Sequence, residues 1–92
     1  MPRKTFGKAL KIKTLNRYVG TNAVYALSRP IKKDKESHKF LFVVDAKAVS
    51  GGTEIIVWLS DEHGVVADFL PIKRYKNISI EEALLDLGYK IG

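Results

Sequence analysis

The chain predicts an α+β domain: about five strands in a mostly antiparallel, strongly curved sheet, with one short C-terminal helix packed on it. Three observations lead there. The middle of the chain holds two apolar, β-branched runs separated by Gly51-Gly52. A capping signature at Ser79 opens a short helical periodicity near the C-terminus. Both faces of the central strands are apolar, whereas a sheet with one wet face alternates cleanly. Residues 1–92 are read as a single domain, because a chain of 92 residues sustains one modest core and no low-complexity linker divides it.

The elements follow in chain order. "KALKIKTL" (8–15) alternates Leu10 and Ile12 with Lys11 and Lys13, the period-two pattern of a half-buried strand. A helical reading through Phe6, Ala9 and Leu10 fails at Lys13. "NAVYALSRPI" (22–31) is the second strand, with Pro30 ending it or marking an edge. "KKDKES" (32–37) reads as a charged, exposed connection. "KFLFVVDAKAV" (39–49) and "EIIVWLS" (54–60) then pair around "SGGT", whose glycines supply the positive φ of a tight hairpin. "DEHG" (61–64) turns the chain into "VVADFLPI" (65–72), the third strand of this meander, with Pro71 at a strand end or edge.

Ser79 and Glu82 have capping-box spacing, and Ile78 and Ala83 sit where a small hydrophobic staple would. Ile80, Ala83, Leu84 and Leu87 keep the i, i+3, i+4, i+7 spacing of one buried helix face, and Gly88 stops the helix at C′. So short a helix needs the sheet beneath it. In 54–60, Ile55, Val57 and Leu59 point one way, Ile56 and Trp58 the other. The second face therefore needs cover from a curling sheet, the N-terminal segment or another subunit.

Composition narrows the function classes. The chain has no cysteine, which excludes a disulfide framework, thiolate zinc sites and cysteine nucleophiles, and fits a reducing compartment. Its apolar runs are far shorter than the ~20 residues that span a bilayer. "MPRKTFGKALKIK" lacks the continuous apolar stretch of a secretory signal. A cytoplasmic protein with no membrane partner is expected.

"WLSDEHGVVADFL" (58–70) is the only stretch that hints at chemistry. Asp61 suits the first position of a turn and Gly64 the last, so turn formation accounts for the cluster. A metal site needs ligands converging from several elements, and only His38 offers a second imidazole. Asp68 shares a face with Val66 and Leu70 and reads as an ion-pairing or exposed carboxylate. Neither a nucleophile elbow nor a phosphate-binding loop is present. The reading leans away from an enzyme and calls for no metal or cofactor.

Charge points instead to binding. The net charge of +6 is unevenly spread: residues 1–39 hold eleven Lys and Arg against Asp34 and Glu36, whereas residues 40–72 hold Lys47 against five acids. Such separation suits an anionic partner, although it also serves solubility. Lys11 and Lys13 are expected to project from one strand face, with Arg17, Arg29, Lys32, Lys33 and Lys35 extending the patch. Lysine and arginine in such numbers neutralise phosphates irrespective of sequence. Tyr18 beside Arg17, and Tyr75 beside Arg74, offer rings for stacking on unpaired bases. The candidate nucleic-acid-binding set is thus Lys11, Lys13, Arg17, Tyr18, Arg29, Lys32, Lys33 and Lys35. "KFLFVV" lacks the glycine of the RNA-recognition motif's aromatic strand, and the single helix is one too few for that fold. A second class is a protein-interaction module: an inhibitor, adaptor or small regulatory subunit. It would use an apolar face with Leu41, Val43, Ile56 and Trp58, or a sheet edge that also permits a homodimer.

Overall fold

A computed structural model describes residues 7–15, 20–33, 35–47, 51–66 and 70–92. Its strands are β1 (Gly7–Leu15), β2 (Thr21–Lys33), β3 (Glu36–Lys47), β4 (Thr53–Ser60), β5 (Lys73–Lys76) and β6 (Tyr89–Ile91), with α1 (Ile80–Asp86) before the last. They form one strongly curved half-barrel sheet in the order β5-β4-β3-β2-β1-β6. β1 to β5 are an antiparallel meander, as the hydrophobic patterning predicts. The sheet is nevertheless mixed, because β6 runs parallel to β1 with Gly7 opposite Tyr89 and Lys8 opposite Lys90. Three residues of "YKI" carry too little pattern to announce a strand, and the helix between β5 and β6 provides the crossover that a parallel neighbour needs.

Two other expectations are corrected. The described residues of 65–72, which are 65, 66 and 70–72, do not form the third meander strand. Val66 makes one isolated bridge to Ser60, the Ile72 N–H donates to the Val57 carbonyl, and the pairing strand β5 begins only at Lys73. Pro71 has no N–H for a ladder, so pairing resumes beyond it. Residues 32, 33, 36 and 37 are exposed as expected, but they belong to β2 and β3 rather than to a connection between strands. Lys32 pairs with Ser37 and Lys33 with Glu36, and the hairpin is closed by a turn in which Lys35 has φ of 70°.

The core lies chiefly on one face of the sheet. Tyr25, Leu41, Val43, Ile55, Val57 and Leu59 gather there beneath Ala83 and Leu84 of α1. The helix is held as its sequence signature requires: the Ser79 Oγ accepts from the Glu82 N–H at 3.1 Å, and Gly88 takes φ of 97° after the helix ends. On the other face Val24, Phe42 and Val44 are buried among Leu15, Phe40, Ala46, Trp58 and Val66. Phe42 lies opposite Trp58 in the ladder, and their rings are 5.6 Å apart. The grouping of Leu41 and Val43 with Ile56 and Trp58 is therefore corrected. Leu41 pairs with Leu59 and Val43 with Val57, which puts them on the helix-covered face. No helix among the described residues is long and apolar enough to cross a membrane.

Candidate nucleic-acid interface

The longest hairpin positions the basic residues. Ala26 of β2 pairs with Phe40 of β3, and the next paired positions are Ile31 and His38. Four residues on β2 thus face one on β3, so β2 swings away from its partner between them. Leu27 meets Ala9 of β1, and the Ser28 Oγ accepts from the Lys8 N–H at 2.8 Å. Pro30 lies inside this irregularity, where its missing N–H costs no ladder bond. Beyond it, among the described residues, β2 and β3 pair only with each other, as Ile31↔His38, Lys32↔Ser37 and Lys33↔Glu36. β1 stops short of this segment and β4 ends at Ser60, opposite Phe40. The result is a two-stranded arm whose ladder spans roughly 10 Å at ~3.3 Å per residue.

Arg29, Lys32, Lys33 and Lys35 are all exposed on this arm or at its base. Lys32, Lys33 and Lys35 form no ion pair with any described residue. Glu36 lies instead 3.7 Å from His38 Nε2. The base is anchored by the buried Tyr89, whose hydroxyl donates to the Arg29 carbonyl at 2.8 Å. Burial pushes the Tyr89 phenol up, against a smaller pull from the Arg29 charge. Gly7 closes this anchor: a Cβ there would stand 2.8 Å from the Tyr89 ring.

The remaining candidates separate. Lys11 pairs with Tyr25 and Lys13 with Val24, because a bulge inserts Ile12 between them. Tyr25 and Val24 belong to opposite faces, so the two lysines do not project together as strand alternation predicts. Their partners Tyr25 and Val24 precede Lys32 by six and seven intervening residues, on the other side of the β2 irregularity from the arm. Arg17, Tyr18 and Asp68 lie outside the described residues. Tyr75 packs its ring on the helix-covered core and donates its hydroxyl to Asp86 at 2.6 Å, which removes it as a stacking surface. Arg74 lies 3.5 Å from Glu54 on the neighbouring strand.

Sequence reasoning missed three basic residues. Lys39 continues the arm on β3. Lys8 is placed beside the arm's base by its bond to Ser28, and the parallel register sets Lys90 next to Lys8. Lys39 is legible as part of the local charge run, whereas nothing local to "GYKIG" signals that Lys90 returns to β1.

The acidic stretch after β4 is a turn. Asp61 Oδ1 accepts from the N–H groups of His63 and Val65 at 2.8 and 2.9 Å, and Gly64 takes φ of 83°. Those bonds, first that of Val65, hold the Asp61 carboxyl below its ordinary range. His63 leans toward Glu62 at 3.5 Å. Among the described residues no three histidine, aspartate or glutamate side chains converge on a point that suits a metal ion. A shallow cleft is lined by His38, Phe40, Ser60 and Asp61.

Comparison with known protein families, with characterised proteins and with solved structures finds no match to this chain.

Proposed function

We propose that this protein is a non-enzymatic binding module that takes nucleic acid on the basic arm of β2 and β3. The observation that carries the reading is the gathering of Arg29, Lys32, Lys33 and Lys35 on one projecting hairpin, the lysines without acidic partners among the described residues. Unpaired surface lysines retain their whole charge for phosphates, and each phosphate neutralised releases counterions. Lys8, Lys39 and Lys90 extend the basic surface at the arm's base.

The test is binding to labelled nucleic acid between about 50 and about 200 mM salt, where phosphate contacts make affinity fall steeply. Reversing Lys32 and Lys33 to Glu should remove most of the affinity while the melting curve stays put, because exposed charges contribute little to stability. Reversing Lys11 and Lys13 should remove less. Equal losses from both pairs would reduce the effect to general attraction to a cation.

A second reading, contact with another protein, has one observation in its favour. Leu10 and Ile12 on β1 are 54% and 43% exposed, one strand in from the β6 edge. Trp58 supports this reading less than its residue type suggests, because it is half-buried against Phe42.

A further inference from the structure

We infer that the arm takes double-stranded DNA by its major groove, in preference to a single strand or an RNA duplex. This deepens, and rests on, the nucleic-acid reading proposed above. Three features of the arm select the duplex.

The first is shape. At the paired positions 31–33 and 36–38 the arm is a two-stranded ribbon with no third strand beside it among the described residues. Strands about 5 Å apart make a ribbon that the B-form major groove, about 12 Å wide, admits. The A-form major groove of an RNA duplex is deep and narrow and excludes such an insertion.

The second is what the arm lacks. Sequence-tolerant binding of single strands depends on aromatic rings on which bases stack. From Ser28 to Lys39 the chain carries no phenylalanine, tyrosine or tryptophan. The one ring is His38, whose side chain is 15% exposed and turned toward Glu36. Elsewhere among the described residues Tyr25, Phe42 and Tyr89 are buried in the cores, and Phe40, Trp58 and Tyr75 are partly buried against them.

The third is the spread of charge. Lys32, Lys33 and Lys35 occupy the ribbon's tip, whereas Arg29, Lys39 and Lys8 stand where it joins the sheet. A ribbon seated in the groove lies between its two phosphate-lined walls, which lysine side chains from both tip and root can reach, while its tip also faces base edges. Serine and lysine at the tip, Ser37 opposite Lys32, offer donors and acceptors to base edges.

Fluorescence anisotropy with the full chain tests this against a short DNA duplex, each of its strands alone and the RNA duplex of the same sequence. The DNA duplex should bind at least about tenfold tighter than the other probes, with a log–log salt slope near −0.9 per phosphate contacted. Replacing Lys32, Lys33 and Lys35 together by Gln should shallow that slope by roughly 2 to 3, one contact for each lysine. Lys76→Gln, on β5 at the far edge of the sheet, should leave it unchanged. Single strands binding as tightly as the duplex, with the triple variant still impaired, would overturn the duplex inference and leave the nucleic-acid reading standing. Equal affinity for the RNA duplex would likewise overturn entry into the major groove. No binding to any probe at low salt would remove the underlying reading itself.

Discussion

Ser79 shows how much one side chain decides at the residue scale. Its Oγ accepts from the Glu82 N–H at 3.1 Å, and its hydroxyl donates to the Glu82 carboxylate at 3.4 Å. α1 has only seven residues, too few to persist without its cap and the sheet below. Ser79→Ala should cost about 0.5–2 kcal/mol, read from the midpoint of denaturant unfolding. Restoring an acceptor as Ser79→Asp should recover most of that, since carboxylates also suit a helix N-terminus. This feature was legible in the sequence because capping is local: the donor and acceptor are three residues apart. Asp61 and Gly64 were legible for the same reason. The bulge at Ile12 was not, because its cause is the match between β1 and β2 rather than anything within "KALKIKTL".

At the scale of elements, β1 to β4 stand close to where alternation and β-branched runs put them. The similar run at 65–72 is not a paired strand in its described residues, and the strands defined by a distant partner went unannounced. β1 and β4 begin within one residue of their expected positions, while β5 and β6 are set by pairing with β4 and β1. One contact joins these late elements. The Tyr75 hydroxyl on β5 donates to Asp86 at the end of α1, at 2.6 Å. Partial burial, then the bond to Asp86 and its charge, raise the phenol's pKa above its ordinary value. The folded state therefore holds this proton more tightly than the unfolded chain does. The stabilisation is complete below the unfolded pKa of about 10, and declines as the pH climbs from there toward the raised folded value. Tyr75→Phe should lower stability by about 0.5–1.5 kcal/mol at neutral pH, the net worth of a hydrogen bond. The variant should also lose part of the wild type's decline in stability above pH ~10. Parallel alkaline melting curves for the two proteins would show that the bond does not hold β5 to the helix.

Charge is a property of the whole molecule, and along the chain it is only partly informative. Counted by segment, the last twenty residues hold four bases against three acids and look inert. The parallel return of β6 changes that, because it brings Lys90 alongside Lys8 on β1, and Lys8 is bonded through its N–H to Ser28 at the base of the arm. Lys76 comes from the same segment but sits on β5, at the other edge of the six-stranded sheet. Four strands lie between the two edges along the sheet, and Lys76 stands opposite the acidic Glu54 of β4 rather than beside the basic residues of β1 and β2. Two lysines equivalent by sequence count should thus behave differently. Lys90→Glu should weaken nucleic-acid binding about as much as Lys8→Glu and less than reversal of Lys32 and Lys33 together. Lys76→Glu should have little effect. The comparison is made at one moderate salt concentration, with melting curves confirming that each variant is folded. Matched losses for Lys76→Glu and Lys90→Glu would mean that net charge alone governs binding and that the curvature of the sheet does not organise the interface.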